Sequence, residues 1–355
     1  MLITYPLRFT ADNIRRKFNM PSAPFLLNYS VTFRCNLNCS HCGVSKMKNN
    51  HSSEELSSPD IARFLKDKKL KKLDVVIITG GEPFLKKDLV NIMVEFKKNI
   101  SPSIFHITTN GYLTDEIVRS VKYLKSKGFN LDLKISIDDI GSRHDNLRGR
   151  KGVFDQAVKT IEALRNAFGE KELYIAINQT IFEENHKSVP DIKKLAASLR
   201  VDYMGFVGLK SRPLYSGVKD DDFGLSDLSH RSKDFLAEEL SKNVFKGFRY
   251  RGVSDIIEKL VMRHYLSGQT MILHKNKTVK RRCMNLFTHF RLNPNGDMIT
   301  CSYDLDVLGN IKNEKYSDII KKPVTQDKLR KVKACGRCWL GCEVTPSWVS
   351  SLCLG

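Results

Sequence analysis

The sequence predicts an α/β fold in which parallel strands form a partial barrel, or an open doubly wound sheet, with helices outside. Between about residue 28 and residue 210, short apolar runs rich in Val, Ile, Tyr and Phe alternate with amphipathic stretches. The apolar runs predict six strands, over residues 28–33, 73–79, 103–109, 131–137, 174–180 and 203–208. Strands that are apolar along nearly their whole length and alternate with helices are typical of a parallel sheet.

The amphipathic stretches between the strands predict five helices, over residues 57–69, 87–98, 114–127, 153–167 and 187–199. Ser57 or Ser58 before Pro59 is a favourable N-cap, and Gly128 is a favourable C-cap residue. Parallel strands end at one edge of their sheet, where ligands bind in such folds. Because each predicted strand is followed by one of the motifs described below, we expect the motifs to meet at this edge.

The chain divides into four regions in this interpretation. Residues 1–24 form an N-terminal segment, residues 25–210 the strand–helix core, residues 211–275 a linker with bridging helices near 231–243 and 253–266, and residues 276–355 a small, loop-rich C-terminal domain. A chain of 355 residues is long enough for one large domain and a smaller one. Residues 11–19 form a short basic helix that either packs on the core or contacts a partner or a membrane surface.

Composition and charge limit the classes of protein. Hydrophobic residues make up 41% and charged residues 28%, as in an ordinary globular enzyme. No apolar stretch approaches the roughly 18 residues of a membrane span, and the N-terminus lacks the features of a signal peptide, so we expect a cytoplasmic protein. The formal charge of +20 favours an acidic partner or an anionic membrane surface, or reflects lysine-rich helix faces alone. There is no RNA-binding signature, and no specific nucleic-acid partner is expected.

Three cysteines follow the first strand at a spacing that is rare by chance. Cys35, Cys39 and Cys42 form a CxxxCxxC pattern, which nine randomly placed cysteines give with a probability of roughly four in a thousand. Three thiolates in one loop can bind three irons of a cubane and leave the fourth iron open to a chelating ligand. A zinc site is the alternative, but zinc normally takes four ligands, and His41 is a poor fourth ligand from within the same loop.

This loop, CNLNCSHC, resembles the signature of the radical S-adenosylmethionine (SAM) superfamily. The resemblance implies a partial (β/α)6 TIM-like barrel and a [4Fe–4S] cluster bound by Cys35, Cys39 and Cys42. In this family the amino and carboxylate groups of SAM chelate the fourth iron. Reductive cleavage of SAM then gives a 5′-deoxyadenosyl radical that abstracts hydrogen from the substrate. An electron donor such as flavodoxin or ferredoxin is implied as a partner.

Further motifs resemble those of the family and follow in its order. Gly80, Gly81, Glu82 and Pro83 after the second strand resemble the GGEP motif, which contacts the amino group of SAM. Glycine allows a ligand to approach the backbone closely, and carbonyl and carboxylate oxygens accept hydrogen bonds from an ammonium group. The resemblance also implies further residues around SAM. His41 would lie under the adenine, Arg148 opposite the carboxylate, and Asn178 near the ribose and adenine. Asn110 belongs to a TNG turn, and Ser136 and Asp138 belong to an SxD pattern. Without this pattern, Arg148 would be interpreted as part of a surface salt bridge.

Six cysteines form a second group, in the C-terminal region: Cys283, Cys301, Cys335, Cys338, Cys342 and Cys353. The CxxC of Cys335 and Cys338, with a third cysteine close by, is a strong metal-site spacing. The group resembles the SPASM and twitch domains of radical SAM enzymes, which hold auxiliary iron–sulfur clusters, although it has fewer cysteines than the full SPASM pattern. The resemblance implies at least one auxiliary cluster, bound by Cys283, Cys301, Cys335 and Cys338. Cys342 either replaces one of these ligands or shares a second cluster with Cys353, and a structural zinc is the rival interpretation.

The predicted activity is radical SAM oxidation, cross-linking or epimerisation of a ribosomally made peptide, because many enzymes with this C-terminal architecture modify peptides. Peptide-modifying relatives often carry an N-terminal peptide-recognition domain; only 34 residues precede Cys35, so we expect such a domain to be either absent or encoded as a separate peptide-recognition protein. The alternative substrate is a sugar, a cyclitol or another small molecule. Two other classes are open: a non-catalytic iron–sulfur electron carrier, which has no need of Glu82 or Arg148, and a zinc-stabilised nucleic-acid-binding protein.

Overall fold

The computed structural model describes residues 4–44, 55–170, 172–207, 229–241, 263, 265, 267–268, 283–302 and 304–335. Six strands match those predicted from the sequence: β1 (Leu26–Thr32), β2 (Val75–Gly80), β3 (Ile104–Thr109), β4 (Leu131–Ser136), β5 (Tyr174–Thr180) and β6 (Tyr203–Val207). Their bounds agree with the predicted ones to within two residues at each end. Gly208, which ends the sixth predicted strand, lies outside the described residues.

The strands form one open sheet in the order β6–β5–β4–β3–β2–β1, which further strands extend at the β1 edge. Each strand from β2 to β6 pairs in parallel with the strand that precedes it in the chain. This single direction of winding is that of a (β/α) barrel, because a doubly wound sheet reverses its strand order at a switch point. The prediction of a partial (β/α)6 TIM-like barrel is therefore confirmed, and the doubly wound alternative is wrong.

The sheet continues into the C-terminal region through three short strands. β7 (His289–Leu292) pairs in parallel with β1, and β8 (Asp297–Ile299) and β9 (Val307–Asn310) follow as antiparallel strands. The sequence analysis predicts loops here, because strands of three or four residues are too short to show a clear two-residue periodicity.

The helices are α1 (Thr4–Lys17), α2 (Ser58–Phe64), α3 (Leu89–Asn99), α4 (Thr114–Ser126), α5 (Ser142–Arg148), α6 (Val153–Ala167), α7 (Val189–Ser198), α8 (His230–Ser241), α9 (Tyr316–Ile319) and α10 (Pro323–Ala334). Short 3-10 helices lie at Lys68–Lys72, Pro83–Leu85 and His186–Ser188. Both predicted caps are confirmed, since Ser57 forms a capping box with Asp60 and Gly128 follows α4 with a φ of +73°. Most of the helix predicted over residues 253–266 lies outside the described residues.

The two faces of the sheet differ in chemistry. On the outer face, apolar side chains are buried against the helices; Phe105 of β3, for example, meets Phe96 of α3 edge to face, with 6.3 Å between ring centroids. Burial of one such side chain contributes about 1.5–3 kcal/mol. Alternate residues of each strand point to the opposite, inner face. Several of them are polar and partly exposed: Thr79, His106, Thr108, Lys134 and Asn178.

The basic N-terminal helix α1 packs against the C-terminal region. Arg16 donates hydrogen bonds to Cys283 O at 3.0 Å and to Lys333 O at 2.6 Å. Packing is therefore one role of this helix, as the sequence analysis allows, although Ile14 and Phe18 beside Arg16 are exposed. Within the ranges that the structure describes, no helix has both the length and the apolar character needed to cross a membrane.

Candidate active site

The loop after β1 brings three thiols together at the carboxyl edge of the sheet. Cys35, Cys39 and Cys42 form no disulfide and pack in one small apolar cluster with Val153. Burial raises the pKa of the Cys39 thiol to about 11; the charge of Arg148 opposes this rise, and the thiols of Cys42 and Cys35 add to it. Since metals bind the thiolate, a buried thiol with such a pKa ionises readily only when a cation such as iron binds it.

Backbone hydrogen bonds hold the cysteine loop between two neighbouring turns. On one side, Glu82 N, in the turn after β2, donates to Arg34 O, directly before Cys35, at 2.9 Å. On the other side, Asn38 N within the loop donates to Arg148 O, at the end of α5, at 3.2 Å. The loop is therefore positioned by the same turns that carry the GGEP and Arg148 motifs.

The two glycines of the GGEP motif are required where one backbone packs on another. A Cβ atom at Gly80 would lie 2.2 Å from Thr32 O, and one at Gly81 would lie 2.1 Å from Arg34 O. Gly80 also has a φ of +128°, which favours glycine. The sequence analysis attributes these glycines to the close approach of a ligand. The structure gives a second reason for them, the close contact between the turns that follow β1 and β2, and their contact with SAM stays a prediction.

Gly149, after α5, allows a direct test of this packing. It has a φ of +67°, and a Cβ atom there would lie 2.5 Å from Asn38 O in the cysteine loop, whereas Gly152 has a φ of +79° with nothing within 4 Å of a Cβ atom. Both alanine variants carry the cost of a left-handed backbone, about 1–2 kcal/mol, but only Gly149→Ala also displaces the loop. We expect Gly149→Ala to lower the urea midpoint more than Gly152→Ala does, and to lower the iron content of protein reconstituted without oxygen. Equal effects of the two variants would contradict the packing described here.

Glu82 is fully buried and joins the turn after β2 to the turn after β3. Its Oε1 accepts hydrogen bonds from Thr109 Oγ1 at 2.8 Å and from Phe84 N at 3.2 Å, and its Oε2 accepts one from Asn110 N at 2.8 Å. Burial raises the pKa of Glu82 to about 7, against these hydrogen bonds, which favour the carboxylate. Both carboxylate oxygens are thus engaged by the chain itself.

Asn110 continues this network to the cysteine loop. Its Nδ2 donates to Asn36 Oδ1 at 2.8 Å and lies 3.9 Å from Cys35 Sγ. Its Oδ1 accepts a hydrogen bond from Tyr112 N at 2.9 Å. The sequence analysis does not single out Asn36, although its position directly after Cys35 is a signal that would have indicated it.

Asp138 and Arg148 form a buried ion pair beside the cysteine loop. Arg148 Nη2 lies 2.7 Å from Asp138 Oδ2, and Arg148 Nη1 lies 4.0 Å from Cys39 Sγ. Burial lowers the pKa of Arg148, but the charges of Asp138 and Cys39 outweigh it and raise the pKa overall. Because a buried charge is costly unless it is paired, this pair is a fixed part of the site and not a surface salt bridge.

Two neutral histidines flank Asp138. Burial is the main cause that lowers the pKa values of His41 and His144 to about 4; the charge of Arg148 acts in the same direction, and that of Asp138 opposes it. His144 Nδ1 accepts a hydrogen bond from Asp138 N at 3.0 Å. His41 Nε2 lies 3.7 Å from Asp138 Oδ2, and the His41 ring centroid lies 4.6 Å from that of Phe182. His41 is therefore held in the site, and Phe182, which no sequence signal indicated, helps to hold it.

Two strand residues predicted to surround SAM, Ser136 and Asn178, lie side by side on the inner face, next to Gly205. Ser136 of β4, Asn178 of β5 and Gly205 of β6 are in register across three neighbouring strands. A Cβ atom at Gly205 would lie 2.8 Å from Asn178 Oδ1, so the glycine leaves room for the amide. The structure thus brings Ser136 and Asn178 together at the same edge as the cysteine loop.

The second cysteine group is described in part. Cys283 N donates to Cys335 O at 3.4 Å, and Cys301 Sγ accepts a hydrogen bond from Asp304 N at 3.4 Å. Cys338, Cys342 and Cys353 lie outside the described residues. The ligand set of an auxiliary cluster therefore stays a prediction.

The residues around the cysteine loop fit a [4Fe–4S] cluster and a polar ligand beside it. Arg148 Nε, His41 Nδ1 and His144 Nε2 are buried and, within the described part of the chain, have no hydrogen-bond partner. Buried polar atoms normally have a partner, and a polar ligand would supply one. A single metal ion fits less well. No three Cys, His, Asp or Glu side chains among the described residues converge on one point, whereas a cubane takes its thiolates at separate irons.

The parallel sheet is wound in one direction and carries three thiols and a buried arginine at its carboxyl edge. This arrangement is that of a SAM-dependent iron–sulfur enzyme, and comparison with known proteins agrees.

Residues 29–196 match the model of the radical SAM superfamily, and residues 283–342 match that of an iron–sulfur cluster-binding domain, SPASM. Fe-coproporphyrin III synthase of Methanosarcina barkeri is 25% identical over 85% of this chain and 75% of its own length. The antilisterial bacteriocin subtilosin biosynthesis protein AlbA of Bacillus subtilis is 27% identical over 85% of this chain and 60% of its own length. Among solved structures, Streptococcus suis SuiB bound to precursor peptide SuiA shares the fold, with a TM-score of 0.62 and 16% identity over 90% of this chain and 69% of SuiB.

The chain belongs to the radical SAM superfamily and carries a SPASM iron–sulfur cluster-binding domain in its C-terminal part. The prediction of a radical SAM enzyme is confirmed. Its cofactors are a SAM-binding [4Fe–4S] cluster, SAM and at least one auxiliary iron–sulfur cluster.

Proposed function

We propose that this enzyme uses radical SAM chemistry to modify a peptide, by oxidation, cross-linking or epimerisation. The main support for radical chemistry is one observation. Cys35, Cys39 and Cys42 lie together with the buried Asp138–Arg148 pair at one edge of the singly wound sheet. Similarity to AlbA, whose name assigns it to bacteriocin biosynthesis, supports a peptide as the substrate.

In this proposal, Cys35, Cys39 and Cys42 bind three irons of the [4Fe–4S] cluster. When bound and reduced, the cluster and SAM together supply a 5′-deoxyadenosyl radical, which removes a hydrogen atom from the substrate. Asp138 fixes the Arg148 guanidinium, whose planar set of donors suits the carboxylate of SAM. The apolar packing of the loop excludes water from the reacting centre.

The other residues assigned to the SAM site in this proposal, as contacts or as positioning residues, lie around the same edge: His41, Gly80, Gly81, Glu82, Pro83, Asn110, Ser136 and Asn178. Glu82 acts as a positioning residue, because both of its carboxylate oxygens accept hydrogen bonds from neighbouring turns. The amino group of SAM is then bound by backbone carbonyls of the turn that Glu82 fixes.

We further propose that Cys283, Cys301, Cys335 and Cys338 hold an auxiliary cluster, with Cys342 and Cys353 as the alternative ligands. The backbone hydrogen bond between Cys283 and Cys335 supports this assignment, because it places the two cysteine segments next to each other. An electron donor such as flavodoxin or ferredoxin would reduce the core cluster, and a separate peptide-recognition protein would present the substrate.

A carboxylate-bearing tetrapyrrole is the second candidate substrate. Fe-coproporphyrin III synthase, which its name assigns to tetrapyrrole chemistry, aligns with this chain over more of its own length than AlbA does. This observation favours a tetrapyrrole over the sugar or cyclitol that the sequence analysis considered.

Anaerobic reconstitution with iron and sulfide tests the proposal. The reduced protein is incubated with SAM and either a carboxylate-bearing tetrapyrrole or a peptide encoded beside its gene, and 5′-deoxyadenosine is quantified by chromatography. We expect 5′-deoxyadenosine to form, and the peptide to lose hydrogen mass or to take up deuterium from heavy water. Protein with full iron content that forms no 5′-deoxyadenosine with either substrate would show the proposal to be wrong.

A further inference from the structure

A second polar site lies on the inner face of the sheet, outside every motif assigned to SAM. It consists of His106 on β3, Asp132 and Lys134 on β4, and Tyr203 on β6, and we call these four residues the inner-face cluster. His106 pairs with Asp132 in the register of β3 and β4, and Lys134 and Tyr203 are both paired with Ala176 of β5. Three strands that are distant in sequence thus place four polar side chains together.

Asp132 contacts the other three residues of the inner-face cluster. Its Oδ2 lies 2.6 Å from His106 Nδ1 and 3.8 Å from Lys134 Nζ, and it accepts a hydrogen bond from Tyr203 Oη at 2.5 Å. Burial alone would raise the pKa of Asp132, but Lys134 and the hydrogen bonds from His106 and Tyr203 lower it. An ionised carboxylate can only accept hydrogen bonds, so His106 Nδ1 is the donor and His106 Nε2 points away from Asp132.

Lys134 and His106 are the accessible members of the cluster. Their side chains are 29% and 16% exposed, whereas that of Asp132 is 2% exposed. The apolar residues of the outer face are buried, so polar and partly exposed side chains on the inner face indicate a space that takes a polar ligand. Asp132 contacts both Lys134 and His106, and these two side chains keep exposed surface on the inner face.

The charge of the inner face favours an anion. Among the described residues of β1 to β7, Asp132 is the one acidic residue on this face, and its Oδ2 is already engaged. Lys134 is the basic residue of the cluster, and its Nζ lies farther from Asp132 Oδ2, at 3.8 Å, than the two groups that hydrogen-bond to this oxygen. A partly buried lysine attracts a negatively charged ligand more strongly than a fully exposed one, because its charge is less screened.

The position of Lys134 relates this site to the radical chemistry. Lys134 lies two residues before Ser136 on β4, about 7 Å along the strand, and both face inward. Ser136 is among the residues proposed to surround SAM. A group bound by Lys134 would therefore hold the rest of its molecule one layer of side chains away from SAM.

We propose that the inner-face cluster binds a carboxylate of the substrate, with Lys134 as its ion-pair partner and His106 as a second polar contact. Asp132 and Tyr203 are positioning residues. The inference rests on the proposed radical SAM function and narrows the substrate to an anionic one. An acidic peptide and a carboxylate-bearing tetrapyrrole both supply this chemistry.

The test is a binding titration of the reconstituted enzyme with SAM under anaerobic conditions. The probes are coproporphyrin III and its methyl ester, and an oligoglutamate and an oligoglutamine peptide. Lys134→Met removes the charge and keeps the length of the side chain, Lys134→Arg keeps the charge, and Lys122→Met on the exposed face of α4 is the matched control. Iron content is measured for each variant, to establish that it is folded.

We expect one of the two carboxylate probes to bind and its neutral counterpart not to bind, and the probe that binds identifies the source of the carboxylate. Lys134→Met should weaken that binding by about tenfold or more, the range of a hydrogen bond to a charged group, whereas Lys134→Arg should largely retain it and Lys122→Met should have no effect. Equal binding of acid and neutral probes, equal behaviour of Lys134→Met and Lys122→Met, or no binding of either acid would overturn the proposal. Formation of 5′-deoxyadenosine by the unmodified protein is measured in parallel, so a failure here is distinguished from a failure of the proposed radical function.

Discussion

Replacing Cys39 with alanine is expected to abolish 5′-deoxyadenosine formation and to remove the iron of the core cluster, about four atoms per chain. Cys39 is buried, and it packs with the partly buried Cys35 and Cys42. Three thiolates already leave one iron open for SAM, so the loss of one more leaves the cubane with two protein ligands. Iron and sulfide analysis, together with chromatography of the SAM cleavage products, measures both effects.

Ser40→Ala is the matched control for this variant. Ser40 follows Cys39 and holds the loop through its backbone, since Ser40 N donates to Leu147 O at 3.1 Å. Its hydroxyl is exposed and lies 3.5 Å from the same oxygen, so the side chain adds little. We expect Ser40→Ala to retain iron and SAM cleavage. If Cys39→Ala also cleaves SAM, the assignment of Cys39 as a cluster ligand is wrong.

The core of the fold is predictable from sequence because βα units carry strong local signals. β5 and α6 have the predicted bounds, since a nearly continuous apolar strand and an amphipathic helix are each recognisable without their neighbours. β7 to β9 are not predictable in this way. They are short, and β7 becomes a strand of this sheet through pairing such as that of His289 with Leu26, which lie far apart in the chain.

The candidate site shows the same division. Motifs indicate that Glu82 and Asp138 belong to a site, but they do not reveal which groups engage them. Glu82 is bound by Thr109 and Asn110, and that contact depends on how the turns after β2 and β3 meet. Lys134 has no motif at all, because its role depends on the register of separate strands. Local sequence therefore identifies residue types near a site, and tertiary contacts decide their roles.

Replacing Arg148 with methionine is expected to destabilise the folded protein by about 3–5 kcal/mol, because it leaves the Asp138 carboxylate buried without its cation. Asp138 has no exposed surface, and Arg148 is its ion-pair partner at 2.7 Å. The hydrogen bond from Thr180 N to Asp138 Oδ1, 2.9 Å long, persists but does not neutralise the charge. Urea denaturation of the reconstituted protein, followed by circular dichroism in a sealed anaerobic cell, measures the change.

A double-mutant cycle with Asp138→Asn separates the stability of the pair from its proposed role in binding SAM. With Arg148→Met, it leaves two neutral side chains in place of the ion pair. We expect the double variant to be more stable than the sum of the single effects predicts, with a coupling free energy of about 0.5–3 kcal/mol. SAM binding should stay weak in Arg148→Met and in the double variant alike, because both lack the guanidinium. If Arg148→Met is as stable as the unmodified protein, or if the two effects simply add, the ion pair does not stabilise the site, and Arg148 is held by its contacts with the cysteine loop alone.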